Sequence, residues 1–374
     1  MKKYFILALA AFLTVTPLWA KSKPKVNPNY IIATDYMKAD GTTDVTDAIQ
    51  NLIDSNPKRT IYFPDGTYLI SRSILTSAEP ERSVDLRLSN YAVIKAAPDW
   101  NSDDAMIRIG GKEKGNNIRG TGSNYGLIGG IIDGGVERES DRNVTGISVD
   151  SGRETLIKDV YIKHVKRGIH IKHGANGGSS DTDIRDINIV GSDAVDSVGV
   201  LVEGFDNTFS NMRIADVYIG IHIRSGGNSL RNIHPLFIGW KKSPTPDYEN
   251  STAFKIEDGH NWLNYCYNDQ FATGFLFTTT KASACVLNNC FNYWYHYGEG
   301  DPHSAMYAMG KFNAIVTNMT VGFQRNEPVN SVLKVGEPGG TGVVRDIRVD
   351  VNAIDDKDGD DLFKYLDGKA KAWW

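Results

Sequence analysis

The sequence predicts an all-β solenoid, a coil of stacked strands. Three observations predict it. An alternating phrase recurs through the middle of the chain, a second strand pattern recurs in step with it, and one amphipathic helical segment stands ahead of both. The phrase runs Gly146-Ile147-Ser148-Val149-Asp150, Gly168-Ile169-His170-Ile171-Lys172 and Gly199-Val200-Leu201-Val202-Glu203. It continues as Gly220-Ile221-His222-Ile223-Arg224, Ala253-Phe254-Lys255-Ile256-Glu257 and Gly274-Phe275-Leu276-Phe277-Thr278, at intervals of 22, 31, 21, 33 and 21 residues. A strand that returns with such a minimum period is one rung of a stack.

The N-terminus reads as a targeting segment. Lys2 and Lys3 precede an apolar run from Phe5 to Val15, and small Ala20 offers a cleavage point. The run is too short to span a bilayer, so residues 1–20 are expected to be a signal peptide and the protein secreted or periplasmic. Residues 21–374 then form the solenoid, with no membrane span. A net charge of −4 gives no case for a nucleic-acid partner. Three cysteines, Cys266, Cys285 and Cys290, leave at least one unpaired in an oxidising compartment. They lack metal-site spacing with His and read as core residues.

Asp44 or Thr46 can cap a helix whose apolar face is Ile49, Leu52 and Ile53, and Asn56-Pro57 ends it. Two strands follow, Thr60 to Phe63 and Thr67 to Ile70, around a Pro64-Asp65-Gly66 turn. A helix here covers the open end of a strand stack, which would otherwise be an unpaired edge over a bare core. Ala39-Asp40-Gly41-Thr42-Thr43-Asp44, Ala48-Ile49-Gln50 and Ile61-Tyr62-Phe63-Pro64-Asp65-Gly66-Thr67-Tyr68 resemble the N-terminal module of the pectate-lyase-like, polygalacturonase-related superfamily. The resemblance covers Asp35 to Ser71, the expected N-terminal cap. It implies a single-stranded right-handed parallel β-helix, commonly a polysaccharide lyase or hydrolase, with a monomer or homotrimer as the expected assembly. Phage tailspikes belong to the same superfamily.

A second column repeats downstream: Ile157-Lys158-Asp159-Val160, Ile184-Arg185-Asp186-Ile187, Phe209-Ser210-Asn211-Met212 and Leu230-Arg231-Asn232-Ile233, then Leu263-Asn264-Tyr265-Cys266 and Leu287-Asn288-Asn289-Cys290. Asp or Asn holds the third position except at Tyr265. Stacked amides at one bend bond to each other and to turn backbone, a structural role. This register places Cys266 over Cys290, and a reduced apolar stack is the preferred reading. Asp133 beside Gly134 reads as turn chemistry. The longer insertions, His234 to Thr252 and Phe291 to Ser304, fall at one corner; His173 to Asp183 falls at the opposite edge. Together they suggest a groove whose loop aromatics Trp240, Tyr293, Trp294 and Tyr295 stack on sugars. The acidic run Asp355 to Asp361 reads as solvated charge, and residues 355–374 as a C-terminal cap.

In the recurring phrase, alternate residues point in and out. The outward columns are Ser148, His170, Leu201, His222, Lys255, Leu276 and Asp150, Lys172, Glu203, Arg224, Glu257, Thr278. The second alternates in sign, which neighbouring strands favour electrostatically without any function. Two histidines at matched positions on alternate rungs, beside Lys172 and Arg224, point further, to catalysis. His170, Lys172, Glu203, His222, Arg224 and Glu257 are the candidate catalytic residues, with Asp150 and Lys255 as substrate contacts. A lyase on a uronic-acid glycan would neutralise the carboxylate with Arg224, Lys172 and Lys255 and use His222 or His170 as base. An inverting hydrolase would use Glu203 and Glu257, two rungs and roughly 9–10 Å apart, or Asp150 and Glu203. A non-catalytic glycan-binding protein is the remaining alternative. No cofactor is required; Glu203 and Glu257 could hold Ca2+. The Asn-Thr-Asp and Gly-His-Gly phrases of polygalacturonases and the Arg-centred phrase of pectate lyases are missing, so function rests on this face. The lyase reading is preferred.

Overall fold

Period-two alternation makes strands, and the 21-residue minimum interval makes each strand pair with the one a full coil later. The structure, a computed structural model, describes residues 30–113, 126–174, 177–237, 248–278, 285–294, 304–309, 313–323, 331–335, 343–346, 348–350 and 366–367. The expected signal peptide, Trp240, Tyr295 and most of the expected C-terminal cap lie outside them.

The fold is a right-handed parallel β-helix. Each coil adds one strand to each of three walls. Among the described residues the first wall is an 11-stranded parallel sheet built from the recurring phrase, including Thr145–Val149, Arg167–Ile171, Val198–Val202, Ile219–Ile223, Thr252–Ile256 and Thr273–Phe277. The second and third walls share a sheet, 21-stranded among the described residues, that bends within each coil, as between Leu156–Lys158 and Tyr161–Val165. The register is the one the sequence implies: Ser148, His170, Leu201, His222, Lys255 and Leu276 lie on successive neighbouring strands.

The core sits between the walls. Ile147, Ile169, Val200, Ile221, Phe254 and Phe275 stack there without solvent exposure, and the Phe254 and Phe275 rings lie 4.9 Å apart and nearly parallel. Each such side chain contributes about 1.5–3 kcal/mol by burial. The leading glycines mark where walls meet too closely for a side chain. A Cβ on Gly199 would lie 2.4 Å from Ile214 Cγ2 and 2.5 Å from the Gly220 carbonyl oxygen.

The bend between the second and third walls falls on the predicted amide column. Asp159, Asp186, Asn211, Asn232, Tyr265, Asn289, Asn318 and Asp346 all adopt left-handed backbone, φ between 52° and 58°. Asn and Asp tolerate that conformation best. Asn232 Nδ2 donates to Asn211 Oδ1 and Asn211 Nδ2 to Asp186 Oδ1, each at 3.0 Å. A second amide ladder, which the sequence reading missed, is fully internal. Asn207 Nδ2 donates to Asn228 Oδ1 at 2.9 Å, and Asn228 Nδ2 to Asn261 Oδ1 at 3.0 Å.

The predicted helix spans Thr46–Ser55 and buries Ile49, Leu52 and Ile53. Asp44 accepts the Thr46 N–H at 2.9 Å, one residue outside the usual cap position. The three cysteines are free and buried, and burial pushes the Cys266 thiol well up. Among the described residues no helix is long and apolar enough to cross a membrane.

Candidate functional site

Outward-pointing side chains of the first wall make one continuous polar network. His170 Nε2 lies 2.7 Å from Glu203 Oε2, and His222 Nε2 lies 2.6 Å from Glu257 Oε1. Each pair joins a histidine to the carboxylate one rung later, so the same dyad appears twice, two rungs apart. Arg224 ties the copies together: Nη1 donates to Glu203 Oε1 at 3.1 Å, and Nε lies 3.4 Å from Glu257 Oε2. Lys255 Nζ stands 3.8 Å from Glu257 Oε1. Lys172 turns the other way, to Asp150 Oδ1 at 3.3 Å.

The six candidate catalytic residues therefore share one face, with Asp150 and Lys255 at its ends. The face is less open than alternation implies. His222 is only 4% exposed and Ser148 is fully buried, because the longer side chains of the neighbouring column fold over them; the Ser148 hydroxyl bonds to Asp150. Arg224, with a side chain 45% exposed, is the outermost charge.

Electrostatics separate the members. The His170 hydrogen bond, with Arg224 beside it, holds the Glu203 carboxyl at about 2, so this group is ionised at neutral pH. Burial, aided by Lys255 and Arg224, pushes the His222 imidazole below its ordinary value against the pull of Glu257. His222 is thus neutral near pH 7. With Nε2–H donated to Glu257, its Nδ1 keeps a lone pair, and among the described residues that nitrogen has no partner.

The Glu203 and Glu257 carboxylates named for an inverting hydrolase are engaged rather than free. Both oxygens of Glu203 and both of Glu257 are engaged by histidine or arginine, and a carboxyl held near 2 cannot serve as a general acid at neutral pH. The same engagement removes the free oxygen donors a calcium ion takes, so these residues do not fit that ion.

Two aromatic assignments are corrected. Tyr293 and Trp294 lie in a third-wall strand, Phe291–Trp294, not in a loop beside the face. Trp294 is fully buried and donates Nε1–H to the Phe271 carbonyl at 2.7 Å. The strand continues past the bend and turns alternate residues inward. Trp262 is 48% exposed on the second wall.

Sequence reasoning also missed members of the face. Arg108 pairs with Ser148 in register and donates from Nε and Nη2 to Asp150 Oδ2 at 2.8 and 2.6 Å. Met106 stands where the later rungs carry their leading Gly, so that signal was absent. Tyr307 and Lys334 extend the column at the other end, with Lys334 Nζ 4.8 Å from the Tyr307 ring centroid.

A model of the rhamnogalacturonase A/epimerase, pectate-lyase-like family matches residues 32–232, more than half of the chain. The chain belongs to this family. Among solved structures, the A-module of mannuronan C-5 epimerase AlgE4 from Azotobacter vinelandii is similar at 15% identity and TM-score 0.54, covering 86% of this chain and 95% of that one. An exopolygalacturonase from Thermotoga maritima is similar at 11% identity and TM-score 0.52, covering 87% of each. A tailspike double mutant of E. coli bacteriophage HK620 is similar at 11% identity and TM-score 0.58, covering 86% of this chain but 62% of the tailspike. These likenesses establish the shared β-helix. No curated protein sequence matches the chain. Family membership supports a carbohydrate-active enzyme of the pectate-lyase-like type.

Proposed function

We propose that the first wall abstracts the C5 proton of a uronic-acid residue in an acidic polysaccharide and cleaves the chain by β-elimination. The observation that carries this is the neutral, carboxylate-anchored His222 beneath Arg224 and Lys255. Arg224 and Lys255 neutralise the substrate carboxylate, which makes the adjacent C5 proton acidic. His222 Nδ1 takes that proton, and Glu257 holds the imidazole and stabilises the charge it gains. The C5 electron pair forms a C4=C5 double bond and the C4–O4 bond breaks. O4 leaves with the proton returned by His222. His170 sits two rungs away, roughly 10 Å by strand spacing, too far to serve the same O4. With Glu203 it contacts a neighbouring sugar.

The same abstraction followed by reprotonation from the other face would be epimerisation, the activity named for the AlgE4 relative. Residues 1–20 are read as an export signal, placing the enzyme where such polymers are met. The test is a panel of uronate polysaccharides followed at the unsaturated-uronate absorbance band, with C5 deuterium uptake monitored in heavy water. Growth of the band that disappears in His222→Gln supports elimination. Deuterium uptake without the band means epimerisation, and reducing ends without either means hydrolysis. No change with any glycan leaves a binding protein.

A further inference from the structure

The third wall carries a second polar cluster that this chemistry does not use. Tyr161, Asn188, Arg213, His234 and Tyr267 occupy one column on successive coils, with the bend residues Asp159, Asp186, Asn211, Asn232 and Tyr265 beside them. Together they line a groove of about 730 Å³. An adjoining pocket of about 380 Å³ shares Tyr161, Asn188, Arg213 and His234. Five coils at ~4.8 Å spacing give the groove a length of ~19 Å.

The groove is built rather than incidental. His234 stacks on Tyr267 with ring centroids 3.9 Å apart. Arg213 Nη1 donates to His234 Nδ1 at 2.9 Å, His234 Nε2 lies 3.3 Å from Asp269 Oδ2, and the Tyr267 hydroxyl donates to the same oxygen at 2.9 Å. Asp269 is 7% exposed, so a buried carboxylate fixes the whole set. Arg213 has no other polar contact among the described residues, which leaves the rest of its donor fork facing solvent.

Tyr265 is the second, independent observation. It is the one non-glycine bend residue of this column, among those described, that is neither Asn nor Asp, and it still holds φ 54°. Left-handed backbone is costly for a bulky aromatic, and such outliers gather at functional sites. Its ring is 55% exposed and lines the groove, as does that of Tyr161, 37% exposed. Exposed flat rings flanked by amide donors and a planar cation match the alternating apolar faces and hydroxyl edges of sugars.

We propose that this groove is a second, non-catalytic oligosaccharide site, holding a distant stretch of the polymer whose nearer residues lie on the first wall. Tyr265 and Tyr161 stack on sugar faces. Asn188, Asn211 and Asn232 meet hydroxyls, and the Arg213 fork holds a carboxylate or a pair of hydroxyls. Only the choice of polymer rests on the function proposed above. Two sites on one chain raise retention on a long polymer by effective concentration, without new contacts at the first.

The test is calorimetry on the full chain with an oligogalacturonate, a rhamnogalacturonan oligosaccharide and an oligomannuronate as probes. Wild-type protein should bind at two sites for at least one probe. Tyr265→Asn, which restores the amide column and relieves the backbone, should weaken one site roughly tenfold; combined with Arg213→Ala it should abolish that site. Tyr161→Ala, on a strand rather than the bend, is the second variant and should weaken the same site. His222→Ala with Arg224→Ala should remove only the other site. Failure of the first-wall reading alone would leave that last variant binding like wild type while the Tyr265 variant still loses a site. Unchanged stoichiometry and affinity in both the Tyr265 and Tyr161 variants, or no binding of any probe, overturns the second groove.

Discussion

Two histidine systems sit on different walls of the same coil, and they differ in one nitrogen. On the third wall His234 uses both: Nδ1 accepts from Arg213, and Nε2 reaches Asp269. Arginine only donates, so the Nδ1 lone pair of His234 is taken and its Nε2 faces the Asp269 carboxylate. On the first wall His222 uses only Nε2, against Glu257. The same residue types thus make a rigid platform in one place and a proton acceptor in the other. Partner count, more than residue identity, separates binding from chemistry here.

The comparison can be broken most severely at His222. His222→Gln keeps a donor for Glu257 but removes the base, and turnover should fall by roughly 10²–10⁴-fold. Substrate affinity should hold within a few-fold; a variant that keeps its rate would erase the distinction between the walls. Arg224→Ala comes next, because it frees both carboxylates and unmasks the substrate charge. Its KM should rise together with a fall in kcat, and Arg224→Lys should restore less than half of the lost rate, since a single ammonium cannot bridge Glu203 and Glu257.

A pH titration sharpens the same contrast. Because the folded His222 lies below its ordinary value of 6.5, the base stays active below that pH and the rate declines only as pH approaches the lowered folded value. The stability sign follows. Above 6.5 the imidazole is neutral in both states and contributes nothing. As pH falls through 6.5 the unfolded chain takes up the proton first, so stability drops and levels off below the folded value. Glu203, held at about 2 against 4.5, contributes stability that is complete above 4.5 and is lost as pH falls from there toward 2. Urea unfolding of Glu203→Gln across that window should show a flatter pH dependence than wild type.

The smallest effect is expected within the core ladder. Asn228→Ala leaves buried partners on Asn207 and Asn261 unsatisfied and should cost about 1–3 kcal/mol of stability with no change in rate per folded molecule.

Much of this was legible in the chain. Period-two alternation and the repeat interval gave the strands, their register and the outward columns, so His170, Lys172, Glu203, His222, Arg224 and Glu257 met as expected. What alternation cannot carry is the lateral partner: whether Lys172 reaches Glu203 or Asp150 depends on rotamers, not on spacing. Trp294 was misplaced because the amide bend hides a third strand in every coil, and a strand that continues past it reads as loop. The internal ladder of Asn207, Asn228 and Asn261 was present in the sequence, since its spacings of 21 and 33 residues equal those from Gly199 to Gly220 and on to Ala253. Its signal was overshadowed by the bend column. The third-wall cluster escaped because its members look like the ends of loops in one dimension.

The most direct test of the central claim is the unsaturated-uronate absorbance of wild type and His222→Gln, measured side by side on a polyuronate that the wild type degrades. The account predicts a steady rise for the wild type and at least a hundredfold slower rise for the variant. Degradation that releases reducing ends without the absorbance, at equal rates in both proteins, would contradict it.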